Sequence, residues 1–163
     1  MPYPRARRPS SGFTLVELLV VMVIIGITLG LATLNAIPSP RQDLEQEARR
    51  LALLLQLARD EAIVRNRLVA FEANGERYRF VVRNETGWEP VTRDDLLRER
   101  GFKNPPLRLV LEPAATGPGS VNPDLLRVTF GREPVDRPFV LTLASGNNAV
   151  AIRADGVGHF TVE

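Results

Sequence analysis

Residues 41–83 read RQDLEQEARRLALLLQLARDEAIVRNRLVAFEANGERYRFVVR, and their hydrophobic period changes once along the way. Leu44, Ala48, Leu51, Leu55, Ala58 and Ala62 step by four and three, the spacing that lines one face of an α-helix. Leu54 widens this stripe on one side, Ala52 and Ile63 on the other. Glu45 stands four residues before Arg49, a mildly stabilising helical pair. After Asn66 the period falls to two. LVAFEA and RYRFVVR read as strands, and NGE between them reads as a hairpin turn. The pattern predicts an amphipathic helix that lays its stripe on a sheet beginning directly after it.

Working back from Arg41, Pro38 and Pro40 in IPSPR each remove a helical donor and disfavour helix in the residue before, so a kink or short break is expected. Before them, Phe13 to Leu34 form an apolar run of about 22 residues, which as a helix extends roughly 33 Å, enough to cross a hydrocarbon core. Glu17 is its only charge. Arg5, Arg7 and Arg8 flank one side, and the positive-inside rule keeps that end cytoplasmic. A cleaved secretory signal fits less well, because no clear small-x-small site closes the run; LATLNA is the nearest.

Working forward, GWEPV reads as a short strand, TRDDLLRERGFKNPP as a polar connection with one helical turn, and LRLVLE as a strand. PAATGPGSVNPD is a Pro/Gly/Ser-rich loop. LLRVTFG, FVLTLAS, NAVAIR and GHFTVE complete seven or eight short strands, with turns at SGNN and ADGVG. One long helix and this many strands predict an α+β chain whose C-terminal part is an antiparallel β-sandwich or curled sheet.

The composition excludes several function classes. There are no cysteines, hence no disulfide, thiolate zinc site or cysteine nucleophile. Formal charge is +2, but the three leader arginines supply +3. The rest holds 18 basic against 19 acidic residues, so net charge gives a nucleic-acid surface no support, although a local patch is compatible with it. His159, the sole histidine, lies in GVGHFTVE without a triad or metal motif around it and reads as a surface or half-buried strand residue. Asp94 and Asp95 lack the alternating ligands of a calcium loop and suit the start of a helical turn. GPG at Gly117 and GVG at Gly156 open no predicted helix, so neither is a phosphate cradle. Asn84 in NET matches a common glycosylation acceptor and carries no weight. Nothing in the chain resembles an active site; catalytic residues, metal and cofactor are all expected to be none.

Gly26 and Gly30 form a GxxxG spacing that lets another helix approach closely. They lie roughly opposite Glu17 around the helix at about 100° per residue. For Glu17, the physics leaves two readings open: the carboxylate snorkels to the headgroups, or it meets a cation on another chain.

SGFTLVELLVVMVIIGI closely resembles the class III signal of type IV pilins and type II secretion pseudopilins: a basic leader ending in glycine, then phenylalanine, then a glutamate four residues on in a long apolar helix. The resemblance implies cleavage by prepilin peptidase between Gly12 and Phe13, N-methylation of Phe13, and pairing of Glu17 with the N-terminal amine of a neighbouring subunit. The helix-to-strand passage at ARDEAI, followed by GW and closed by AIRADGVGHFTVE, resembles the H-type minor pseudopilins, with residues 93–124 generic. FimT-like minor pilins, associated with pilus assembly or DNA uptake, share that passage and form the alternative. Many pilins carry a helix-bending proline where this chain has Leu34, so the bend is expected elsewhere.

The resemblance implies a type IV pilin-like fold divided into a leader at 1–12, a transmembrane and filament-packing helix at 13–37, an amphipathic periplasmic helix at 38–66 and a periplasmic sandwich at 67–163. It implies a structural protein of the inner membrane and pseudopilus, not an enzyme. Its partners would be prepilin peptidase, the I, J and K types of minor pseudopilin and the major pseudopilin. No nucleic acid and no small-molecule substrate are expected.

Overall fold

The computed structural model describes residues 13–34, 39–92, 94–113 and 125–163, without the side chains of 31–34. The expected leader with Gly12, the end of the first predicted helix with Pro38, and nearly all of the loop at 113–124 lie outside the described residues. The chain divides into two compact units, Met1–Pro38 and Ser39–Glu163.

In the first unit α1 spans Leu15–Leu34. Among the described residues no helix is long and apolar enough to cross a membrane.

In the second unit α2 spans Pro40–Val64. Its start is written in SPRQ. Ser39 is the N-cap and accepts from the Gln42 amide, Gln42 returns a bond to the Ser39 amide, and Pro40 fits the first turn because it has no N–H to leave unsatisfied. The predicted stripe is the buried face, Leu44 through Ala62, with Leu54 and Ala52 buried beside it and Ile63 half-buried. Two charged residues, Glu47 and Arg59, are buried on the same helix and were not part of the predicted stripe. Arg49 meets Glu45 at 3.3 Å as the spacing predicts, and Arg41 joins the same carboxylate at 3.1 Å.

Nine strands come after α2 among the described residues: β1 (Val69–Ala73), β2 (Arg77–Arg83), β3 (Trp88–Pro90), β4 (Arg100–Gly101), β5 (Arg108–Glu112), β6 (Leu126–Phe130), β7 (Phe139–Ser145), β8 (Asn148–Ala154) and β9 (Phe160–Val162). They form two antiparallel sheets. One runs β3-β2-β1-β6, with β4 also paired to β2; the other runs β5-β7-β8-β9. The β1–β2 hairpin turns at Asn74–Glu76 as predicted, with the Asn74 carboxamide oxygen accepting from the Glu76 and Arg77 amides. Gly75 is required there: its carbonyl accepts from the Leu107 amide at 2.7 Å, and a Cβ would stand 2.8 Å from the Leu107 carbonyl oxygen.

The polar connection at 92–106 departs from the expectation of one helical turn. Asp94 does cap, its carboxylate accepting from the Leu96 and Leu97 amides, but the chain then makes a tight turn and enters the short strand β4. Leu97, Phe102 and Leu107 are buried, and these anchors pull the segment onto the core where its polar composition suggested a free connection. Lys103 and Asn104 bond Asp43 of α2 at 2.6 and 3.3 Å and close the segment over the helix.

α2 packs against strands of both sheets. Phe71, Tyr78, Phe80 and Phe130 of the first sheet and Leu141, Leu143, Val150 and Ile152 of the second enclose its stripe in one core. Phe130 bridges to the second sheet through Phe139 and Phe160, with ring centroids 6.5 and 6.4 Å apart.

Candidate assembly site

The sequence points to the start of α1. Thr14 is the cap: its hydroxyl oxygen accepts from the Glu17 amide at 3.2 Å, and its carbonyl accepts from the Leu18 amide at 3.2 Å. Thr14 and Glu17 thus stand in the T-x-x-E spacing of a capping box, with the acid in the first turn, where the exposed amides of the helix favour negative charge. Neither sequence reading of Glu17 included this local stabilisation, although the spacing was legible. It gives the carboxylate a place in the helix without supplying a counter-charge.

All described side chains from Phe13 to Gly30 are exposed. Phe13 is 78% exposed and Leu15 81%, and eleven further large apolar side chains through Leu29 are also open. Covering thirteen such groups is worth on the order of 20 kcal/mol in apolar transfer. A helix of this kind demands lipid or protein around it. A Cβ built at Gly26 or Gly30 meets nothing within 4 Å among the described residues. Thr28 returns its hydroxyl to the Ile24 and Ile25 carbonyls, which hides its one polar group from an apolar surrounding.

In the second unit the ARDEAI segment has a structural reason. Ala58 and Ala62 are fully buried, and their small size seats the end of α2 against the sheets. Arg59 between them is 9% exposed in its side chain. Its Nη2 donates to the Pro134 carbonyl, its Nε lies 3.9 Å from Asp136, and its guanidinium passes close to Gly158. One arginine therefore ties α2 to the loop before β7 and to the turn before β9. Glu61 faces outward and pairs with Arg65.

That turn holds the sole histidine. His159 is exposed and precedes β9; it is not within the strand. Asp155 organises the turn. One carboxylate oxygen accepts from the Val157, Gly158 and His159 amides, and the other meets the His159 ring at 2.7 Å. The His159 bond, with help from the amides, pulls the Asp155 carboxyl down to about 2. This is turn chemistry; no nucleophile accompanies it. Among the described residues no group of three potential metal ligands assembles.

Three kinds of comparison bear on the family. The family model described as Type II transport protein GspH matches residues 47–158, and that of the prokaryotic N-terminal methylation motif matches residues 7–33. Type II secretion system protein H of Pseudomonas aeruginosa is 42% identical over 90 residues, covering 53% of this chain and 52% of that protein. Its counterpart from Aeromonas hydrophila is 32% identical over 95 residues, covering 56% and 51%. The chain thus spans about half the length of the curated relatives it matches. The crystal structure of the minor pseudopilin EpsH of Vibrio cholerae aligns with TM-score 0.59 at 16% identity, over 76% of this chain and 95% of that one. The solution structure of E. coli GspH aligns with TM-score 0.55 at 18% identity, over 76% and 91%. The two structures establish a shared fold. With the model match across the helix-to-strand core and both sheets, the chain belongs to the GspH family of type II transport proteins.

Proposed function

We propose that this chain is the precursor of a minor pseudopilin in a type II secretion system. Prepilin peptidase cuts between Gly12 and Phe13, and the new amine on Phe13 is methylated. Residues 13–37 then hold the chain in the inner membrane, with the leader side cytoplasmic and residues 38–163 periplasmic. On assembly the same helix packs in the pseudopilus, where Glu17 meets the Phe13 amine of a neighbour and Gly26 and Gly30 admit a close helix. The role is structural: the subunit links the I, J and K minor pseudopilins to the major-pseudopilin shaft.

The observation that carries this reading is the wholly exposed apolar helix whose single charge lies in its first turn. The match of residues 7–33 to the methylation motif supports the processing step, and the apolar run Phe13–Leu34 supports the membrane step. The discriminating experiment is deletion of the chain followed by complementation with the native sequence or with Glu17→Ala. Loss of exoprotein secretion that only the native chain restores is the expected result. Normal secretion with impaired twitching or transformation would place the chain with the FimT-like pilins instead.

A further inference from the structure

The outward face of the first sheet is unusual for the solvent side of a sheet. Ala70 and Glu72 on β1 and Val81 on β2 point away from α2, yet they are 0%, 1% and 2% exposed. A roof of arginines and one indole accompanies them. The neighbouring outward positions are Arg77, Arg79 and Arg83 on β2, Arg127 on β6 and Trp88 on β3, with Arg79 and Arg127 both opposite Glu72 in register. Glu72 accepts from Arg79 Nε at 2.8 Å through one oxygen and from Arg127 Nε at 2.8 Å through the other. The Arg127 and Arg83 guanidinium carbons lie 5.2 and 5.6 Å from the centre of the Trp88 ring. Beside them a cavity of about 360 Å³ is lined in part by Glu72, Arg77, Arg79 and Glu99.

We infer that this face docks an acidic protein segment, one that presents Asp or Glu carboxylates to Arg77, Arg79 and Arg83. The charge balance points there. Among the described residues, Arg77, Arg79 and Arg83 alone outnumber Glu72 and the adjoining Glu99 on this face, whereas the whole chain after Gly12 carries about −1. The chemistry agrees: all four cations are arginine, whose planar fork matches a carboxylate in two bonds. Geometry agrees as well. The buried Glu72 and the Trp88 ring hold the guanidinium groups in place before any partner arrives, which lowers the ordering cost of binding. A tryptophan among arginines is also the composition of an interface hot spot. A nucleic acid fits less well. Glu72 and Glu99 interrupt the cationic surface, and the Trp88 ring that would stack a base already faces two guanidinium groups.

The test uses the full chain in zwitterionic nanodiscs, with fluorescence anisotropy of labelled oligoglutamate and of an oligothymidylate of matched charge. Arg83→Glu and Arg77→Glu alter exposed arginines that do not touch the buried Glu72, and Arg108→Glu on β5 serves as the control away from the face. The inference expects salt-sensitive oligoglutamate binding, weakened at least about tenfold by either face variant and unchanged by the control. Circular dichroism confirms folding, and either face variant alone decides the result. Absent binding, equal weakening by Arg108→Glu, or tighter binding of the oligothymidylate would overturn it.

Discussion

Gly158 makes room for Arg59. A Cβ at residue 158 would stand 2.7 Å from Arg59 Nη1, and Gly158 has φ +114°, a conformation that side-chain-bearing residues rarely adopt. Strain and collision coincide at one position. Gly158→Ala should lower the unfolding free energy by about 1–3 kcal/mol, read as a shift in the denaturant midpoint at constant slope. An unchanged midpoint would show that the arginine swings aside at no cost.

Arg59 should matter more than its neighbouring charges. Arg59→Ala removes a nearly buried guanidinium together with its bond to the Pro134 carbonyl and opens a void between two loops, so a loss of about 1–3 kcal/mol is expected. Glu61→Ala breaks only an outward i,i+4 pair and should cost about 0.5 kcal/mol or less. Thermal melts of the two variants in parallel check the ranking.

Buried Glu47 sets a pH dependence. Burial raises its carboxyl above the ordinary 4.5, with Arg50 and Lys103 opposing weakly, and its Oε1 has no hydrogen-bond partner among the described residues. A carboxyl with a raised folded pKa binds its proton more tightly when folded. Stability should therefore fall as pH rises from about 4.5 through that raised value. Glu47→Gln should flatten this decline and leave the protein at least as stable at neutral pH. A variant that unfolds more easily at neutral pH would show that the carboxylate is compensated.

Asp155 works in the opposite direction. Its folded carboxyl sits near 2 against an ordinary 3.8, so the turn it holds is intact above 3.8 and is lost as pH falls through about 2. Asp155→Asn should remove this acid transition and loosen the turn at neutral pH. Amide exchange at Val157, Gly158 and His159 provides the readout.

At the other end of the chain, Thr14→Val deletes the hydroxyl that caps α1 and should fray its first turn by about 1 kcal/mol. Since Glu17 lies in that turn, crosslinking between residue 17 and a neighbour's residue 13 should weaken even though the glutamate is untouched. Full crosslinking in Thr14→Val would show that assembly alone fixes the turn.

Most of the fold was legible where one period dominates. The stripe from Leu44 to Ala62 and the alternation of β1 and β2 each report one inward face, and the structure buries those faces, although Ala70, Glu72 and Val81 are buried on the other side of the sheet as well. The connection at 92–106 was not legible, because Leu97 and Phe102, two apolar anchors set irregularly among charges, carry no period. Arg59 and Glu47 were hidden for a related reason: a charge on a buried helix face is interpretable only once its partners on distant loops are in place. The outward face of the first sheet read as ordinary alternation. Arg79 meets Glu72 across the local hairpin, but Arg127 joins it only because β6, 55 residues away, pairs with β1.

α2 contributes one stripe to two sheets, and this shapes how the second unit responds to force. Neither sheet can peel away without uncovering the helix face that the other also uses, so the unit should yield as a whole. A pull entering at Ser39 is met at once by the Asp43–Lys103 clasp and, about four turns further on, by the Arg59 tie. Under such a load the second unit should hold its shape until it opens in one step, with no stage at which a single sheet has come away.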